Sequence, residues 1–236
     1  MGFVAAFSNL KATAASVDTV SMTADWIMVE DGNGEMRRVA MTTSVVIDKT
    51  VAGPAVNGCD QAGAFPKDSW VHFYAIYNPF TGNVAGLFSA SATAPTLPSG
   101  YTFKAYLGAA RNNSSGTSGE FDSFTQSDRH VSATFQQVSS TIGTTRGIVD
   151  MSNNIPPTAK RLDLYVGLSA GSTVLATAVN FTADAAGSLG RRDFQCDFTS
   201  SAETCLPISL QTPQSIWGIR GAGTFTVSVY TSNWSY

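Results

Sequence analysis

Residues 70–111 read WVHFYAIYNPFTGNVAGLFSASATAPTLPSGYTFKAYLGAAR, and this stretch decides the fold class. In its first eight residues, Trp70, His72, Tyr74 and Ile76 fall on one face of an extended chain, and Val71, Phe73, Ala75 and Tyr77 on the other. Both faces are largely apolar, which suits a strand covered on both sides. Asn78-Pro79-Phe80-Thr81-Gly82 supplies a tight turn, because Pro79 presets φ and Gly82 tolerates positive φ. Pro95 and Pro98 forbid continued pairing through 94–99. The predicted order is strand, turn, strand, proline-punctuated crossing and strand.

The same period of two extends in both directions. Val20, Met22, Ala24, Trp26 and Met28 alternate with Ser21, Thr23 and Asp25, predicting one strand over 20–28. Asp31-Gly32-Asn33-Gly34 is a hairpin signal, and its return places Val39, Met41, Val45 and Ile47 on one side. Further strands are predicted over 129–138, 161–168, 173–181, 215–219 and 223–230. Inward positions there are Leu162, Leu164, Val166 and Leu168, then Phe225, Val227 and Val229. Asn112 to Gly119, NNSSGTSG, is expected to be a mobile, exposed tip. No internal repeat, heptad seam or sustained helical period occurs. The expectation is an all-β chain, at least roughly a third strand. It is read as a single-domain, jelly-roll-like β-sandwich over 1–236, with an N-terminal arm at 1–16 and a C-terminal tail at 231–236.

Composition agrees. The 236 residues can bury a real core, and only 13% are charged, against about 25% in ordinary globular domains. With 43% hydrophobic residues and 14 Phe, the chain is not disordered. A net charge of −3 gives no electrostatic footprint for nucleic acid. Residues 1–7 lack the basic region of a secretory signal, and Ala6 stands where a myristoylation signal wants Ser or Thr. No apolar run approaches the ~20 residues of a membrane helix. Low charge with many aromatics suits a protein whose surface is covered by neighbouring subunits.

The central block also carries a resemblance. The aromatic strand WVHFYAIYNP, the TGNVAGL turn and strand (Thr81 to Leu87), SATAPTLPSGYTFK (Ser91 to Lys104) and the GAAR strand end (Gly108 to Arg111) resemble a family of small virion proteins. These are tailed-bacteriophage and prophage proteins of tail-fibre type. The preceding TADWIMVEDGNGEMRRV (Thr23 to Val39) is similar to that family's strand, acidic glycine turn and second strand. The resemblance covers about residues 17–112. Beyond Asn113 it reaches only short pieces such as Ile155 to Val166 and Gly223 to Tyr230. It implies a place in a virion, assembled in the host cytoplasm, and names no reaction.

The search for chemistry leads to the same expectation. Ser69, His72 and Asp68 cannot converge as a triad, because neighbouring strand residues face opposite sides. No G-x-S-x-G elbow, P-loop or H-E-x-x-H occurs. Carboxylate pairs such as Glu120 with Asp122, Asp25 with Glu30, or Asp184 with Asp193 read as solvated turn residues. His130 reads as a surface residue. Cys59, Cys196 and Cys205 lack C-x-x-C spacing, so no metal site is expected, and a Cys196–Cys205 disulfide stays open against three reduced thiols. The catalytic, metal and cofactor expectation is therefore none. Arg191-Arg192 reads as a solvated loop or a contact with an acidic surface.

Aromatics supply the candidate contacts. Trp70, His72, Tyr74, Trp217 and Tyr230 are expected at subunit contacts, where aromatic anchors are enriched. Trp234 and Tyr236 are candidates for a glycan or partner contact, against the plainer reading of a terminal strand packed into the core. The expectation is a non-enzymatic virion structural protein, a tail appendage or tail-fibre component in assembly or host attachment. Its expected partners are itself, as a homotrimer, and other virion proteins, with neither nucleic-acid binding nor membrane insertion. Alternatives are a capsid decoration (cement or head-spike) protein, a carbohydrate-binding module for host surface glycan, and, last, a glycan hydrolase.

Overall fold

A computed structural model describes residues 6–138, 142–170, 177–196, 201–221 and 225–236. The fold is all-β: strands account for 51% of it, and the described residues contain no helix. The chain divides into two compact units, Met1–Ala133 and Thr134–Tyr236, where the sequence was read as one domain.

The first unit runs β1 (Phe7–Ser8), β2 (Lys11–Ala14), β3 (Thr19–Thr23), β4 (Trp26–Asp31), β5 (Met36–Ala40), β6 (Val45–Asp48), β7 (Gly58–Cys59), β8 (Ser69–Tyr77), β9 (Val84–Ser89), β10 (Phe103–Asn112), β11 (Phe124–Ser127) and the start of β12 (His130–Gln137). One sheet has the order β1-β4-β10-β8-β9-β7, with β5 also paired to β4. It is antiparallel except where β7 runs parallel to β9. The second sheet has the order β12-β11-β2-β3-β6.

Residues 20–28, expected as one strand, form two strands in different sheets. Val20, Met22 and Ala24 are buried before the corner, and Ile27 and Val29 after it, so the inward parity flips near Asp25. The corner leaves its backbone paired: the Asp25 N–H donates to Ser8 C=O, and the Met41 N–H donates to Asp25 C=O. The return segment divides in the same way, with Val39 in β5 and Val45 and Ile47 in β6, all buried.

The two sheets face each other through Phe73 stacked on Phe124 (6.0 Å), and Phe121, just before β11, packs against Phe88 (5.2 Å). At Gly86 they approach closely. A Cβ there would lie 2.3 Å from Ile47 Cγ1 and 3.0 Å from Met22 Cε. On the outer face of β8 and β9, Tyr74, Ile76, Ala85 and Leu87 form a second buried cluster, covered by Leu97, Tyr101 and Tyr106. The proline-punctuated segment is thus a strap across the sheet. Its ties are the Tyr74 hydroxyl donating to Ser91 C=O (2.7 Å) and Lys104 Nζ donating to Thr93 C=O (2.8 Å). Both faces of β8 are covered within one chain.

The second unit contains the rest of β12, β13 (Gly147–Asp150), β14 (Arg161–Ala170), β15 (Thr177–Thr182), β16 (Arg192–Cys196), β17 (Ser201–Ser209), β18 (Ser215–Arg220) and β19 (Phe225–Ser235). β17-β14-β19 and β13-β18-β15-β16 are neighbouring orders within its sheets. Leu162, Leu164, Val166 and Val229 are buried, as expected from the sequence, whereas Val227, expected inward, is half-buried; Val179, Phe181 and Ile216 are buried too. The Leu168 and Phe225 side chains and residues 173–176 lie outside the described residues. Residues 231–235, expected as a tail, complete β19, where Trp234 stands opposite Leu162. Within the expected N-terminal arm, β1 and β2 are strands.

Candidate functional site

The most organised polar cluster of the first unit centres on Lys49, immediately after β6. The chain turns there because the Asp48 carboxylate accepts the Thr50 N–H (2.8 Å) and hydroxyl (2.7 Å), while the Lys49 N–H donates to Asp18 C=O. The Lys49 side chain is 5% exposed. Its Nζ donates to Asn112 Oδ1 (2.9 Å) and to Gly119 C=O (2.8 Å), and it pairs with Asp18 at 3.3 Å. The Phe121 ring lies 4.5 Å away on another side. An ammonium so buried requires such partners, since removing it from water costs several kcal/mol when uncompensated.

Asn112, at the end of β10, is fully buried and uses both ends of its amide. Nδ2 donates to Pro66 C=O (2.9 Å) and Ser118 C=O (3.1 Å), which turns Oδ1 toward Lys49. Gly119 closes over this pair at φ +79°, and a Cβ there would lie 2.5 Å from Asn112 Nδ2. Only glycine combines that conformation with that approach. The loop expected as a mobile tip is exposed, yet fastened at several points. Asn113 Oδ1 accepts the Ser115 and Glu120 N–H groups, its Nδ2 donates to Asp122, and Lys67 Nζ donates to Ser114 and Gly116 C=O. Beside the cluster opens a cleft of about 440 Å3 whose walls include Val17, Asp18, Thr50, Phe65, Ser118 and Glu120.

Sequence reasoning missed this cluster because Lys49 lies 63 residues from Asn112 and 70 from Gly119 in the chain. The available signal was a lysine directly following an alternating strand in a chain so poor in charge.

The aromatic candidates divide between the two units. His72 (3% exposed) and Tyr74 (1%) are buried inside the first unit, Tyr74 beneath the chain's own Leu97, Tyr101 and Tyr106 and His72 against Tyr106, where cover from a neighbouring subunit was expected. His72 Nδ1 lies 3.2 Å from the Tyr106 hydroxyl, and burial lowers its pKa to about 4, so the ring is neutral near pH 7. Trp70 is half-buried, with the Arg111 guanidinium 5.9 Å from its ring. Trp217 is half-buried on β18 opposite Ile148, and Tyr230 packs edge-on to Tyr165 (6.3 Å). Trp234 is 5% exposed, so it packs as a core residue and lacks the open face a sugar-stacking platform needs. Tyr236 is half-buried.

The remaining candidates are placed as turn and surface groups. Asp184 accepts the Leu189 N–H and then the Ser188 hydroxyl and N–H of its own loop, which holds its carboxyl below the usual range. Asp193 binds Arg191 and Asn180, Asp122 binds Asn113, and His130 is exposed. Arg192 opens β16, where a solvated loop was expected. Cys59 is a buried free thiol that donates to Lys49 C=O (3.2 Å), and burial pushes its pKa up to about 11. The Cys196 and Cys205 side chains, and with them the disulfide question, lie outside the described residues. Among the described residues no group of three or more His, Cys, Asp or Glu could hold a metal ion. Among them there is no helix long and apolar enough to cross a membrane. No known protein family matches the chain, and no curated protein matches it in sequence.

Proposed function

We propose that this chain is a non-enzymatic structural protein of a tailed-bacteriophage virion, a tail appendage or tail-fibre component serving assembly or host attachment. The observation that carries the reading is the resemblance over residues 17–112, whose most specific segment, SATAPTLPSGYTFK, is the strap over the outer face of β8 and β9. A segment that seals a sheet gives the motif a physical role in a rigid building block. The tethered 113–120 loop and the buried Lys49 cluster support the same reading, since their polar groups are spent on holding the unit together. Its partners are further copies of itself, as a trimer, and other virion proteins. Phe80, 88% exposed at the β8–β9 turn, is the large apolar side chain best placed to engage one.

Quantitative mass spectrometry of gradient-purified particles tests this reading. The chain is expected at a fixed, multi-copy ratio to the major capsid protein, and its absence from intact particles would sink the proposal. Location on labelled particles separates tail appendage from capsid decoration.

A further inference from the structure

We propose that Lys49 and Asn112 join in a self-generated isopeptide bond that staples the two sheets of the first unit. This rests on the geometry of the buried cluster and is independent of the virion reading. Lys49 follows a strand of one sheet and Asn112 ends a strand of the other. Nζ lies 2.9 Å from Oδ1, so the electrophilic Cγ is one carbonyl bond further. The Asn112 amide is held in that orientation by the Pro66 and Ser118 carbonyls, and Gly119 closes the backbone over it. Reactants fixed in contact, away from bulk water, gain the large effective concentration of an intramolecular reaction.

The cluster also contains the proton acceptor the step needs. The Lys49 ammonium passes one proton to the Asp18 carboxylate, 3.3 Å away, and becomes a neutral amine. Its lone pair attacks Asn112 Cγ, forming the Nζ–Cγ bond. A second proton moves from the attacking nitrogen to Nδ2, the Cγ–Nδ2 bond breaks, and ammonia departs. Ammonia then takes the proton held by Asp18 and leaves as ammonium, restoring the carboxylate. Nothing is oxidised or reduced, and no co-reactant is required. The Phe121 ring shields one side of the amine, while Asp18, 38% exposed, faces the cleft through which the product can escape.

Intact-mass measurement of the purified full chain tests the bond. The expected mass is the sequence mass less one ammonia, and tandem sequencing of a digest should find the peptides containing Lys49 and Asn112 joined as one branched species. Asp18→Asn removes the proton acceptor and should leave most chains at full mass while retaining the strand-type circular dichroism. Lys49→Arg keeps the charge but should abolish the linkage, and its melting temperature should fall by at least about 10 °C through loss of the cross-link. A wild-type chain at full mass with separate Lys49 and Asn112 peptides overturns the proposal. So does an ammonia loss mapped to another position, such as Asn33-Gly34.

Discussion

Gly86→Ala probes the contact between the two sheets of the first unit. The added methyl would sit 2.3 Å from Ile47 Cγ1, 2.6 Å from Ile47 Cδ1 and 3.0 Å from Met22 Cε, all well inside contact distance. Ile47 and Met22 are fully buried and cannot swing into solvent, so the sheets must separate or Ile47 must leave its rotamer. Such overpacking costs about 1–3 kcal/mol. Against it stands the smaller entropy that alanine removes from the unfolded chain, about 0.4–1 kcal/mol in favour of the variant. The net expectation is a loss of about 1–2 kcal/mol, or roughly 3–10 °C in the first unit's transition by scanning calorimetry. Ile47→Ala alone should cost about 2–5 kcal/mol by leaving a cavity. The double variant should be less destabilised than the sum by at least about 1 kcal/mol, because the new methyl enters that cavity. An unchanged or raised transition for Gly86→Ala, or strict additivity, would refute the close approach of β9 to β3 and β6.

Tyr74→Phe leaves the Ser91 carbonyl without its hydroxyl donor and should lower stability by about 1 kcal/mol in urea titrations, loosening the strap without breaking the sheet. His72 has its pKa lowered by burial from 6.5 to about 4, so it favours the unfolded state wherever that state alone is protonated. Its effect is absent above about pH 6.5, and stability falls as pH drops toward 4, by an amount on the order of 3 kcal/mol. His72→Phe should flatten that slope in pH-dependent denaturation. Trp234→Ala should destabilise the second unit by about 3–5 kcal/mol in thermal melts, so any loss of glycan affinity in that variant would follow its unfolding. Phe80→Asp should leave the melting transition within about 0.5 kcal/mol of the parent while reducing incorporation into particles.

The strands of residues 69–112 were legible because turn chemistry and a period of two coincide there. Asn78 to Gly82 fixes the β8–β9 hairpin, and Pro95 with Pro98 excludes pairing through the strap. What the strap does was not legible. Two apolar faces on one strand look the same whether a second subunit or the chain itself covers them, and here Leu97 and Tyr101 do so. The break in 20–28 was hidden for a similar reason: alternation persists through Asp25 although the sheet changes, and only long-range backbone bonds to Ser8 and Met41 reveal the corner. For Trp234 the sequence favours packing over a stacking platform only narrowly, because the choice depends on its neighbour across the ladder, Leu162. Lys49 and Asn112, 63 residues apart, share no local signal, and their meeting follows from how the sheets stack.

A side-chain-resolution reconstruction of the particle tests the central claim most directly. The account predicts repeated density on the tail or shell that fits the first unit with its strap closed over Tyr74 and Ile76, arranged about a three-fold axis. A complete particle map in which every ordered density is assigned to other chains would contradict it.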